Sequence, residues 1–225
     1  MRSYSGLLHG VAEWSQMVQA RHASEMQCRR GCVLCCHGLF DISLPDALHV
    51  TLGLGTLPAE TRSAVTASAA EIQKKIAKQA PELKAPYLLK MGDDLLIDRI
   101  ATRVASPRCP FLAPDDACLI YEHRPLACRM EGIPMVDIHD GLFGDWCELN
   151  FVAGVPSDAQ DDLLRNYYEL HDIERSTTAK LSELLLGERH EALTVFIPSL
   201  IVEYENFWVP LLAKLDPADL ELSLF

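Results

Sequence analysis

Nowhere in this 225-residue sequence does an apolar run approach the roughly 20 residues needed to cross a bilayer. The opening Met1-Arg2-Ser3-Tyr4-Ser5 leads into an amphipathic stretch in which Glu13 and Gln16 interrupt any signal-like apolar core. The expectation is a soluble, cytoplasmic protein with no membrane partner. Positive charge is also in short supply, with 20 Lys plus Arg against 32 Asp plus Glu and a net charge of −12. Nucleic-acid binders draw most of their affinity from neutralising phosphates, so no nucleic-acid partner is expected. There is no Gly-rich phosphate loop, HExxH, GxSxG or dinucleotide fingerprint, and Gly53-x-Gly55 is too short to stand in for one. No internal repeat or low-complexity tract appears. Cysteine, finally, is absent outside two short regions.

Those two regions hold all eight cysteines. Cys28, Cys32, Cys35 and Cys36 form a C-x3-C-x2-C-C knot; Cys109, Cys118, Cys128 and Cys147 form a second, opened by Cys109-Pro110-Phe111-Leu112. Scattered cysteines usually serve as small buried hydrophobes, because exposed thiols oxidise. Two groups of four point instead to soft-metal ligation, in which a zinc ion or an iron–sulfur cluster takes about four thiolates. A reducing compartment argues against four disulfides, and a Cys35–Cys36 bridge would be strained. Either each knot holds its own metal, or the two interleave around a shared centre. Adjacent residues seldom point the same way, so Cys35 and Cys36 are expected to do different jobs. Arg29, Arg30, Arg108 and Arg129 adjoin or nearly adjoin cysteines, and cationic neighbours favour the thiolate.

The length fits one domain or a domain with a helical appendage, and 49% apolar content can fill an ordinary core. Leu7, Val11, Trp14 and Val18 recur at helical spacing and predict a helix over 4–27, broken by Gly31 inside the first knot. Ser43 is a plausible N-cap for a helix reaching about Gly53, with Pro45 and Asp46 in its first turn. Another helix starts at Leu57-Pro58-Ala59-Glu60, carries Val65, Ala69, Ile72 and Ile76 on one stripe and ends near Ala80-Pro81. Between 81 and 150 the prolines and glycines predict only short pieces, with extended segments on either side of the Asp115-Asp116 turn. Such a segment would need metal binding as folding energy. From Pro156 helices return, with Leu163, Tyr167, Leu170, Ile173, Leu181 and Leu184 on one stripe. A last helix carries Phe196, Leu200, Tyr204, Phe207 and Leu211, with Pro198 at its start and Pro210 kinking its end.

Further donors are weaker candidates. His37, His123 and His139 could ligate, and Asp137 and Asp145 could bind a hard metal or act as bases. Cys28-x3-Cys32-x2-Cys35 literally satisfies the triplet of radical enzymes that use S-adenosylmethionine, but the βα-barrel pattern of such enzymes is missing.

Taken with Cys118-Leu119-Ile120-Tyr121-Glu122-His123-Arg124-Pro125 and Cys128-Arg129, the two knots resemble the YkgJ-type CxxCxxCC cysteine-cluster family over roughly residues 28–147. That family comprises bacterial proteins described as zinc- or iron-chelating, and it is similar to the cysteine-rich part of flagellin lysine N-methylases. The resemblance implies all eight cysteines as metal ligands and a [4Fe–4S] cluster or Zn²⁺ as cofactor. It also implies methyl-transfer chemistry. If a cluster is present with one iron lacking a cysteine ligand, that site could bind a small molecule such as S-adenosylmethionine through its amino and carboxylate groups. Arg124 and Arg129 lie within the shared motif and are read as cofactor-binding, since a guanidinium can clamp a carboxylate or hydrogen-bond cluster sulfurs.

The expected fold is mainly α, a helical domain with a small irregular or β-hairpin insert organised around a cysteine-ligated metal centre. Residues 1–150 would form the metal-binding domain and 151–225 a helical extension packed on it. The expected function is metal binding, iron–sulfur before zinc, with a small molecule or a protein as substrate. The alternative is a zinc-stapled interaction module without catalysis, and a third option is metal delivery or storage.

Overall fold

A computed structural model describes residues 4–29, 31–137, 141–143, 146–165 and 167–216. In chain order the elements are α1 (Tyr4–Arg21), β1 (Asp41–Ser43), α2 (Leu44–Thr56), α3 (Ala59–Gln79), β2 (Leu89–Lys90), α4 (Asp94–Val104) and α5 (Leu126–Met130). They continue with β3 (Met135–Asp137), β4 (Gly141–Phe143), α6 (Gln160–Leu163), β5 (Leu164–Arg165), α7 (Tyr167–Leu186), β6 (Leu193–Phe196), α8 (Ile197–Val202) and α9 (Val209–Leu212). The protein is mainly helical with small sheets.

α1 buries Leu7, Val11, Trp14 and Val18, as its spacing requires. It ends at Arg21, short of the predicted boundary, where Arg21 and His22 both turn to Asp162. α2 follows β1 directly. Ser43 occupies the N-cap position, Pro45 lies in the first turn where its missing N–H is harmless, and Leu44, Ala47, Leu48, Val50 and Leu54 are buried. Apolar residues on every side make it the central helix of the main core. α3 keeps the predicted stripe and packs against α8 and α4.

Three expectations needed correction. The segment 81–150 contains α4, an amphipathic helix with Ile100 and Val104 buried. The prolines and glycines fall around it and leave 93–106 uninterrupted, so the segment is less irregular than its composition suggests. Phe196 belongs to strand β6, not to the last helix. Only from Ile197 does helix begin, with Pro198 in its first turn, and the run through Pro210 is broken by a wide turn at Tyr204–Trp208. Leu184 is 56% exposed, and Leu185 faces the core in its place, beside the expected Leu181.

β6 lies between β1 and β2, antiparallel to both, with Val195 opposite Ile42 and Thr194 opposite Leu89. A strand from beyond residue 150 thus joins two strands from the first half of the chain. In the second sheet β3 runs antiparallel to β4 and parallel to β5. The main core unites α2, β6, α8 and the buried Trp208 with Phe111 and Ile120 from the second cysteine region. Another cluster joins α1 to Leu126, Ile133, Val136, Phe151 and Leu163. A third joins α3 and α4 to Leu89 and Phe196.

Candidate metal centre

The first knot sits on the loop between α1 and β1, ending in a tight turn over Leu34–Cys36. This loop is tied across the molecule by Asn150, which is only 1% exposed. The Asn150 side-chain oxygen accepts a hydrogen bond from the Gln27 amide at 2.8 Å. Its Nδ2 donates to Cys28 Sγ at 3.3 Å and to the Gly132 carbonyl at 2.6 Å. Its own amide donates to the Cys147 carbonyl at 2.8 Å, and the Cys147 amide reaches the Gly132 carbonyl at 3.4 Å. Gly132 has φ +80°, and a β-carbon there would lie 3.1 Å from Cys147 Cβ, so the position favours glycine on both counts. One buried amide therefore gathers Cys28 and Cys147 although they stand far apart in sequence. Sequence reading missed Asn150; its only signal was a polar residue three places after the last cysteine.

Cys36 is held differently. Its carbonyl accepts from the Cys109 amide at 2.9 Å, the Gly38 amide donates to the Pro107 carbonyl at 3.1 Å, and His37 pairs with Arg108 in an antiparallel bridge. Cys109 then runs into the expected hairpin-like turn. Leu112 faces Cys118, the Leu119 amide donates to the Phe111 carbonyl at 2.9 Å, and Asp116 adopts φ +63°. Arg108 braces the turn through Asp116 at 2.8 Å and the Ala113 carbonyl at 2.7 Å. Burial raises the Cys109 and Cys118 thiols, and backbone N–H groups two residues on, from Phe111 and Ile120 respectively, oppose it.

Cys128 lies on α5, whose start is fixed by Asp46 of α2. Both carboxylate oxygens of Asp46 accept from the Leu126 amide at 3.0 Å. A negative group suits a helix N-terminus, although burial pushes the Asp46 pKa up to about 7. Arg129 locks the preceding turn, donating to the carbonyls of Arg124 at 2.9 Å and Glu122 at 2.6 Å. Arg124 lies over the Tyr121 ring, 3.6 Å from its centre, and donates to the Tyr121 carbonyl at 3.1 Å. Its charge also favours the thiolates of Cys118 and Cys128.

All eight cysteines are free and partly buried. Burial raises the Cys28 thiol, the Asn150 bond opposes this, and repulsion from Cys147, Cys32 and Cys35 adds to it. Burial pushes Cys109 up to about 11, with Cys118 and Cys35 contributing, and it raises Cys128 with help from Cys109, Asp46 and Cys118. Cys36 moves the other way. A hydrogen bond with the Cys35 thiol stabilises its thiolate, against burial and the charges of Cys109, Cys128 and Cys118. Cys35 is raised by the same bond, then by burial and by the nearby Glu131.

Among the described residues no three His, Cys, Asp or Glu side chains form a ready-made metal-holding group. The donor set itself suits zinc or iron–sulfur, since crowded, repelling thiolates are soft ligands that a cation would relieve. His123 is turned toward α2, its ring centre 4.8 Å from that of His49, and the Nδ1 atoms of both are buried without partners. Arg30, His139 and Asp145 lie outside the described residues, and of Asp137 only its place in β3 is described.

A family model described as "Putative zinc- or iron-chelating domain" matches residues 27–148. The chain belongs to the CxxCxxCC family. The family's span takes in all eight cysteines and both arginines, and it stops just before Asn150. No curated protein and no solved structure matches the chain. Among the described residues no helix is long and apolar enough to cross a membrane.

Proposed function

We propose that this CxxCxxCC chain is a cytoplasmic metal-binding protein that carries iron–sulfur or zinc on its eight cysteines. The observation that carries this reading is a set of eight free, partly buried cysteines, from positions up to 119 residues apart, on segments braced by Asn150, Asp46 and Arg129. The metal would join these loops into one unit with the core. Residues 1–150 would form the metal-binding domain. Residues 151–225 would pack on it as an extension that also supplies the middle strand of its sheet. Arg124 and Arg129 would temper the negative charge of a thiolate-bound metal, Arg124 by its field and Arg129 by holding the Glu122–Arg124 turn in place.

Iron, zinc and acid-labile sulfide measured on protein purified without oxygen test this directly. Iron and sulfide in equal amounts with a broad visible band support the cluster. A colourless, zinc-only protein makes the centre structural and favours the interaction-module reading. Absence of both, before and after reconstitution, refutes the function.

A second reading, small-molecule chemistry beside the metal, is favoured by a cavity of about 460 Å³ lined by Gln27, Arg29, Gly31, Cys32, Leu149 and Val152. Arg29 lines it together with Cys32, and a guanidinium suits a carboxylate-bearing ligand such as S-adenosylmethionine. Saturable binding of that compound to metal-loaded protein, lost in Arg29→Ala, is its expected sign.

A further inference from the structure

We propose that the eight cysteines divide crosswise between two sites, Cys28, Cys32, Cys35 and Cys147 at one and Cys36, Cys109, Cys118 and Cys128 at the other. This rests on the metal-binding reading above and deepens it: neither sequence knot closes a site by itself. The break falls between the adjacent residues Cys35 and Cys36.

Three placements carry the division. Asn150 donates to Cys28 Sγ and to the Cys147 carbonyl and shares the Gly132 carbonyl with the Cys147 amide, so the first and last cysteines share one wall. The charge of Glu131, the neighbour of Gly132, reaches Cys35. Cys36, in contrast, is joined by its own carbonyl to the Cys109 amide, and Cys109 is joined to Cys118 through the Phe111–Leu119 pairing. Asp46 and Arg129 hold α5, which carries Cys128, and the charges of Cys109 and Cys118 both act on its thiolate. The thiolate charges sort the same way. Cys28 feels Cys147, Cys32 and Cys35, while Cys36 feels Cys109, Cys128 and Cys118. Two contacts cross the line, the Cys35–Cys36 bond and a weaker influence of Cys35 on Cys109. They make the sites neighbours with a shared edge.

Four thiolates at each site would complete a tetrahedral zinc or fill the cysteine positions of a cluster. The chain from 28 to 36 would then act as a hinge pin, donating three ligands to one side and one to the other.

The test is metal content per full-length chain after zinc or iron–sulfur reconstitution, for the wild type and for paired substitutions. Cys28→Ser and Cys147→Ser should each halve the metal, and the double variant should lose no more than either single one. Cys28→Ser with Cys36→Ser, two residues of one knot, should lose all of it. The reverse pattern, in which Cys28 with Cys36 behaves as one unit and Cys28 with Cys147 as two, overturns the division. So does a wild type with a single centre. A wild type that binds no metal defeats the functional reading itself and is recognisable before any variant is made. Because cysteine variants can fail to fold, alkylation of the wild type during graded chelation supplies an independent readout. Cys28, Cys32, Cys35 and Cys147 should become reactive as one set and the other four as another. Release of all eight together, or knot by knot, overturns the proposal.

Discussion

Gly53→Ala offers the sharpest check on how the second cysteine region is seated. In an ordinary helix interior, alanine gains about 1 kcal/mol over glycine. Here a β-carbon at position 53 would lie 2.5 Å from His123 Cβ and 2.8 Å from its Cγ. Carbon atoms settle at about 3.5–4.0 Å, so one partner must retreat by roughly 1 Å. His123 Cβ sits next to the backbone of the Tyr121–His123 turn and cannot swing away as a side-chain tip would. Overpacking of this kind costs about 1–3 kcal/mol and here should reach or exceed the upper value, leaving a net loss of about 2 kcal/mol after the helix gain. At about 2–4 °C per kcal/mol for a chain of this size, Tm should fall by about 4–8 °C. Thermal and urea unfolding followed by circular dichroism would measure it. Gly10→Ala in α1, where nothing lies within 4 Å of the added carbon, is the control and should be neutral or stabilising by up to about 1 kcal/mol. A Gly53→Ala protein as stable as that control would refute the packing of α2 against the His123 turn.

Further perturbations probe the groups around the cysteines. Burial holds His49 down at about 4 against an ordinary 6.5, so the unfolded chain binds the extra proton between those values. The His49 contribution is therefore complete above pH 6.5 and falls as pH drops toward 4, by up to about 3 kcal/mol. Asp46 acts oppositely, because burial raises it to about 7 and the folded state holds its proton from there down to 3.8. Urea unfolding of wild type and His49→Phe at pH 5.5 and 7.5 isolates the histidine: the advantage of the wild type should shrink at the lower pH. Asp46→Asn should gain stability relative to wild type as pH rises from 5.5 to 7.5, and a pH-independent difference would disprove its buried ionisation. Arg129→Ala removes two charged hydrogen bonds to carbonyls and should cost about 2–4 kcal/mol by the same assay, with Arg129→Lys recovering only part. Asn150→Leu strips Gln27, Gly132 and Cys28 of their shared partner and should destabilise by about 2–4 kcal/mol, seen as a lower urea midpoint.

The helices carrying periodic apolar stripes were legible because burial of one face leaves a direct imprint at 3.6-residue spacing. α2 was legible through Pro45 and Asp46 at its start, and the Asp115-Asp116 turn through its residue types. β6 was not, since four residues cannot be told from the start of a helix by period alone, and Phe196 suits either. α4 was hidden by breakers that flank it. At the candidate centre, thiol chemistry and spacing pointed to eight cysteines and to different jobs for Cys35 and Cys36. Spacing could not foresee that Cys28 and Cys147 share Asn150, because that depends on Asn150 and Gly132 meeting across the fold. Gly53 looked like a failed phosphate motif; its role is to make room for His123.

The position of β6 in the sheet bears on synthesis. β1 and β2 each pair only with β6 in that sheet, and about 150 residues separate β1 from it. At about 5–20 residues per second a ribosome takes roughly 8–30 s to cover that distance. Until β6 is made, Ile42, and Leu89 once it is synthesised, have no strand to lie against, and their backbone edges stand open to neighbouring nascent chains. Truncation before residue 193 would make that exposed interval permanent.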